Sequence, residues 1–81
     1  MKVQLLFFAS LRERLRKSES EHDLRDGSTV ADLWATLCEE NPELYRMTTS
    51  VSFAVNQEYV DRATVLHDGD EVALIPPVSG G

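Results

Sequence analysis

The sequence predicts an α+β domain: a four- or five-stranded sheet with one main helix packed on one face. Three observations predict it. Several short segments follow the two-residue period of strands, and one segment holds the helical period over more than two turns. The length, 81 residues, suits a single domain with one modest core. One helix cannot cover both faces of such a sheet, so the second face is left to solvent or to a partner.

Residues 3–9 open the chain as a strand. Val3, Leu5 and Phe7 point one way and Gln4, Leu6 and Phe8 the other. Both faces are largely apolar, as in a central strand or one whose second face meets a partner. Ser10 and Glu13 stand at capping-box spacing, which predicts a short helix from Ser10. Leu11 and Leu15 form its inward pair, surrounded by Arg12, Arg14, Arg16 and Lys17. Residues 19–24 alternate weakly and read as a polar edge strand, closed by a turn at Asp26 and Gly27.

Thr29 is a good N-cap, with Asp32 at the third helical position. Val30, Leu33, Trp34, Leu37 and Cys38 then follow i, i+3, i+4, i+7, i+8, the strongest helix in the chain. Asn41 before Pro42 ends it, and Pro42 opens a short turn through Arg46. Residues 50–55 read as a strand, Asn56 and Gln57 as a tight turn, and residues 58–60 as a short strand. Asp68, Gly69 and Asp70 form another turn. In residues 71–75, Val72 and Leu74 take one face and Ala73 and Ile75 the other.

Composition narrows the function classes. Eight basic against fourteen acidic residues leave a net charge of −6, so nucleic acid and anionic membranes are poor partners. A single cysteine excludes a disulfide framework and a zinc site built from several cysteines, and agrees with a reducing compartment. The longest apolar run, Leu5-Leu6-Phe7-Phe8-Ala9, is far short of the ~20 residues of a membrane span. It is also too short for the core of a secretory signal, so a mature cytoplasmic protein is expected. The four glycines, Gly27, Gly69, Gly80 and Gly81, form no phosphate-binding loop, and the chain has no visible ATP site.

Isolated chemical groups read blandly. Cys38 lies on the apolar helix face and reads as a small core residue. His22 and His67 have no second ligand at metal spacing and read as surface side chains; no metal site is expected. Asp68, Asp70 and Glu71 lack the ~12-residue pattern of a calcium loop. The cations of residues 12–17 read as a solvated face, with Arg12 placed to meet an acid on a partner.

The end of the chain is the most informative part. After Ile75 it reads Pro76-Pro77-Val78-Ser79-Gly80-Gly81. The prolines cannot donate ladder hydrogen bonds, so the strand ends there and the chain leaves extended. A domain over residues 1–75 with a tail over residues 76–81 follows. Six residues reach on the order of 20 Å, enough to enter a cleft on another protein. Gly80 and Gly81 carry no side chains, so they can thread a narrow channel and present a bare carboxylate.

The opening VQLLFFASLRE, the helix STVADLWATL, the segment AVNQEYV and the ending DGDEVALIPPVSGG resemble, in order and over nearly the whole chain, the MoaD family of ubiquitin-like sulfur carriers. The resemblance implies a β-grasp fold with a mixed sheet. It implies that an ATP-dependent, MoeB-like enzyme adenylates Gly81 and that sulfur from a donor protein's persulfide replaces the AMP. The resulting thiocarboxylate then enters a MoaE-like large subunit of molybdopterin synthase, in a heterotetramer, and gives its sulfur to cyclic pyranopterin monophosphate. The tail residues Pro76, Pro77, Val78, Ser79 and Gly80 thread the channel. Catalytic groups belong to the large subunit, and this chain binds no cofactor of its own. Leu6, Phe8, Tyr59 and Ile75, with Arg12 beside them, form the expected contact face. Three other readings stay open: a ThiS-like carrier for thiazole synthesis, a ubiquitin-like modifier that forms isopeptide bonds through Gly81, and a binding module with an inert tail.

Overall fold

The computed structural model describes residues 1–77. Its strands are β1 (Lys2–Phe7), β2 (Glu19–Asp23), β3 (Ser52–Val55), β4 (Glu58–Val60) and β5 (Glu71–Ile75), and its helices α1 (Ala9–Leu15) and α2 (Val30–Glu40). The strands form one mixed sheet in the order β2-β1-β5-β3-β4. β1 and β5 run parallel and every other neighbouring pair is antiparallel. This is the β-grasp arrangement that the resemblance implies, with five strands.

Strand alternation sorts the side chains into two sets. Val3, Leu5, Phe7, Phe53, Val72 and Leu74 are buried on one face, beneath Leu33, Trp34 and Leu37 of α2. Leu11, Leu44 and Leu66 close the margins of the same core. Burying each large aliphatic side chain contributes ~1.5–3 kcal/mol.

The start of α2 follows its sequence. Thr29 Oγ1 accepts from the Asp32 N–H at 3.2 Å, and Asp32 Oδ2 accepts from the Thr29 N–H at 2.9 Å. Both halves of the capping box therefore form. All five residues of the predicted apolar stripe are buried. A 3-10 turn, Pro42–Met47, follows and buries Leu44. Asn56 (φ 51°) and Gln57 (φ 73°) both lie in the left-handed region, as a two-residue hairpin turn between β3 and β4 requires.

Three expectations are corrected. The capping box at Ser10 and Glu13 does not form. Strand β1 stops at Phe7, Ala9 turns the chain with φ 48°, and the N-cap of α1 falls two residues early, at Phe8, with no side-chain cap. The Leu11 N–H bonds back to the Phe8 carbonyl at 3.1 Å, so the strand exit, not the Ser10 hydroxyl, sets the helix entry. Strand β3 begins at Ser52 rather than residue 50. The N–H groups of Ser50 and Val51 both donate to the Met47 carbonyl, at 3.0 and 2.9 Å, and so belong to the preceding turn. His22 is not a free surface side chain. Its ring, 15% exposed, lies 3.3 Å from both Ser20 Oγ and Glu40 Oε1, tying β2 to the end of α2.

Sequence periodicity also missed Arg62. Its guanidinium donates to the carbonyls of Thr48 and of Val51, the latter at 3.3 Å, and lies 5.2 Å from the Phe53 ring centre. It joins the loop after β4 to the loop before β3 and covers one side of the core.

Candidate functional site

The uncovered sheet face carries the site. Register places Leu6 of β1 beside Ala73 of β5, Ala73 beside Ala54 of β3, and Ala54 beside Tyr59 of β4. These four residues make one row across the sheet. Phe8, just past β1, and Ile75, at the end of β5, stand above that row. Together the six line a hollow of about 370 Å³, with Gln57 and Glu71 at its rim. Small side chains make its floor: Ala54 is 6% exposed. Aromatic side chains make its walls: Phe8 is 43% and Tyr59 74% exposed. An apolar hollow flanked by exposed aromatics suits an inserted apolar side chain of a partner.

A second hollow, of about 450 Å³, lies where the chain leaves the domain. It is lined by Phe8, Ala9, Ser10, Glu13, Ile75, Pro76 and Pro77. Phe8 and Ile75 belong to both hollows, so the apolar face runs directly into the root of the tail. Pro76 is buried and Pro77 exposed. The chain is therefore held at its first proline after β5, beside the apolar face.

The structure brings together four of the expected contact residues: Leu6, Phe8, Tyr59 and Ile75. Arg12 is exposed on α1 and lines neither hollow. Val78, Ser79, Gly80 and Gly81 lie outside the described residues. Sequence reasoning did not single out Ala54, Ala73, Gln57 or Glu71 for this face. Alternation around Val72 and Leu74 already put Ala73 there; Ala54 needed the register between β3 and β5.

The remaining chemical groups serve structure. The Cys38 thiol is buried, and burial pushes its pKa up against the smaller opposing effect of a hydrogen bond with Thr48, which keeps it a neutral core thiol. Asp68 accepts from the Lys2 N–H at 2.7 Å, and Asp70 from the His67 N–H at 2.8 Å, so both carboxylates hold backbone around the turn before β5. Among the described residues no three His, Cys, Asp or Glu side chains group as a metal site, and no helix is long and apolar enough to cross a membrane.

The ThiS family model matches residues 5–81. The molybdopterin synthase sulfur carrier subunit of Chlamydomonas reinhardtii is 42% identical, over 100% of both chains. That of Mycobacterium tuberculosis is 39% identical, over 100% of this chain and 99% of that one. Among solved structures, SAMP1 from Haloferax volcanii superposes with a TM-score of 0.87 at 28% identity, covering 100% of both chains. A complex of subunits 1 and 2 of the molybdopterin-converting factor from Helicobacter pylori matches with a TM-score of 0.70 at 27% identity, again over 100% of both chains.

Proposed function

The chain belongs to the ThiS family, and within it to the ubiquitin-like molybdopterin synthase sulfur carrier subunits; from that premise we propose that it carries one sulfur atom on Gly81 and delivers it inside a larger partner subunit. The observation that carries this reading is the continuity of the apolar hollow with the tail root through Phe8 and Ile75. A partner docked on the sheet face then sits where the tail departs. The Helicobacter pylori complex of two converting-factor subunits supports a large-subunit partner of this kind.

The chemistry follows from the group at Gly81. A carboxylate oxygen is a poor leaving group, so the carboxyl must be activated before sulfur can enter. An activating enzyme joins it to AMP from ATP with release of pyrophosphate. The outer sulfur of a donor's persulfide attacks the acyl adenylate and expels AMP, and a second thiol on the donor side then reduces the resulting acyl disulfide, releasing the Gly81 thiocarboxylate and leaving a disulfide behind. That sulfur is a better nucleophile than the carboxylate oxygen and passes to cyclic pyranopterin monophosphate in the large subunit. This chain supplies the cargo, the tail and the docking face; ATP, the sulfur donor and the catalytic groups belong to partners.

Mass spectrometry of the C-terminal peptide, from protein isolated from its native cell, tests the proposal. The expected result is one terminal oxygen replaced by sulfur on Gly81. The change must be localised to the tail, because oxidation of Met1 or Met47 gives nearly the same mass change. A tail that stays carboxylate, even with a matched activating enzyme, ATP and a sulfur donor supplied, removes the carrier reading. The likeness to a small archaeal modifier protein favours a second reading, conjugation through Gly81 to lysines of other proteins. Covalent adducts of higher mass, absent when Gly81 is deleted, would distinguish it.

A further inference from the structure

We propose that Asn56 is a positioning residue: with Asp70 it latches the β3–β4 hairpin to the start of β5 and so fixes one wall of the apolar hollow against its floor. What docks on that hollow rests on the function proposed above. The wall needs fixing. Strand β4 has three residues, lies at the edge of the sheet and, among the described residues, pairs with β3 alone. It carries the exposed Tyr59, and the turn before it carries Gln57; both line the hollow. Ala73 of the floor, and Ile75 beyond it, stand on β5. A short edge hairpin twists easily, and Tyr59 lies outside the buried cluster that would resist this.

Asn56 supplies three hydrogen bonds from the hairpin turn to the start of β5. Its backbone N–H donates to the Glu71 carbonyl at 2.8 Å, its Oδ1 accepts from the Glu71 N–H at 3.1 Å, and its Nδ2 donates to Asp70 Oδ1 at 2.9 Å. Chemistry fixes the orientation of the amide, because a carboxylate only accepts and a backbone N–H only donates. Asp70 is held in turn, with its side chain 13% exposed. Its Oδ2 accepts from the His67 N–H at 2.8 Å, and its carbonyl accepts from the Gln4 N–H at 2.8 Å. The latch therefore reaches β1, the strand that carries Leu6 on the far side of the hollow. Asparagine also tolerates the left-handed φ of 51° that the turn requires. Glycine would serve that geometry equally well. What asparagine adds is the pair of side-chain bonds to residues 70 and 71.

The test compares four full-length chains: the unaltered one, Asn56→Asp, Asp70→Asn and the double exchange N56D/D70N. Asn56→Asp sets two carboxylates against each other at the 2.9 Å contact. Asp70→Asn sets a new amide donor against either Asn56 Nδ2 or the His67 N–H. The double exchange restores every bond. The amide at position 70 donates to the carboxylate at position 56 and accepts from the His67 N–H, and the carboxylate still accepts from the Glu71 N–H. Affinity for the large synthase subunit is read by titration calorimetry well below the Tm of each chain. Asn56→Asp is expected to bind about tenfold more weakly, and the double exchange to recover to within about twofold. If Asn56 served stability alone, all four folded chains would bind alike. Equal affinities, or a double exchange no better than Asn56→Asp, overturn the proposal. Asn56→Gly suits the turn, adds no charge and covers the case in which Asn56→Asp does not fold. It is expected to bind about fivefold more weakly, and unaltered affinity overturns the latch. Backbone amide relaxation, measured by NMR on the isolated chain, judges the latch without a partner. Gln57 and Tyr59 are expected to gain motion in Asn56→Asp and Asn56→Gly and to lose it again in the double exchange; unchanged relaxation overturns the latch. Failure of the unaltered chain to bind the large subunit counts against the function reading, and the relaxation data then decide the latch.

Discussion

Phe8 shows how much one residue can carry. It follows the last residue of β1, serves as the N-cap of α1, and lines both the apolar hollow and the tail root. Being 43% exposed, it contributes little to the core. Phe8→Asp is therefore expected to leave thermal unfolding unchanged. Placing a charge at the centre of a desolvated contact weakens binding to the large subunit on the order of 100-fold, the scale of an interface hot spot. Titration calorimetry on the variant checks this, and an unaltered Kd would exclude the sheet face as the contact. Ala54 and Ala73 matter for the opposite reason. Their small side chains are what leave a hollow between Leu6, Tyr59 and Ile75.

Among the elements, α2 shows local and tertiary signals in agreement. Its cap, its apolar stripe and its stop at Pro42 all coincide with the packed helix. Thr29→Ala removes the side chain that accepts from the Asp32 N–H. A loss of ~1 kcal/mol is expected, read as a fall in Tm of about 4–8 °C. Thr29→Ser, which keeps the acceptor, should recover most of it. In α1 the two signals disagree. Ser10 and Glu13 have capping-box spacing, but the turn at Ala9 leaves them inside the helix. Spacing of polar residues predicts a cap only where the chain approaches in extended form, and here Ala9 has turned it before Ser10 is reached.

The whole molecule separates stability from cargo. Among the described residues, the core lies between the sheet and α2 and its buried cluster runs from Val3 to Leu74. Deleting Gly80 and Gly81 should therefore leave thermal unfolding unchanged while abolishing sulfur loading. Unfolding monitored by circular dichroism, together with the mass-spectrometric assay, checks both halves. A fall in Tm would mean that the tail also packs on the domain.

Local patterns in the sequence were enough for the strands, the main helix and its cap, the hairpin turn at Asn56 and Gln57, and the division of β1 and β5 into a core face and an open face. Periodicity and turn chemistry act between residues a few positions apart, and such signals survive in one dimension. The resemblance of the ending, carried by Pro76, Pro77 and the final glycines, pointed to the family. Only the tertiary structure decided the strand order, the partnership of Ala54 with Ala73, the clamp formed by Arg62, the shielding of His22 by Glu40, and the burial of Pro76 at the tail root. The physical reason is common to all of these: each depends on contact between segments far apart in the chain, and register and loop closure, not local propensity, determine which distant segments meet.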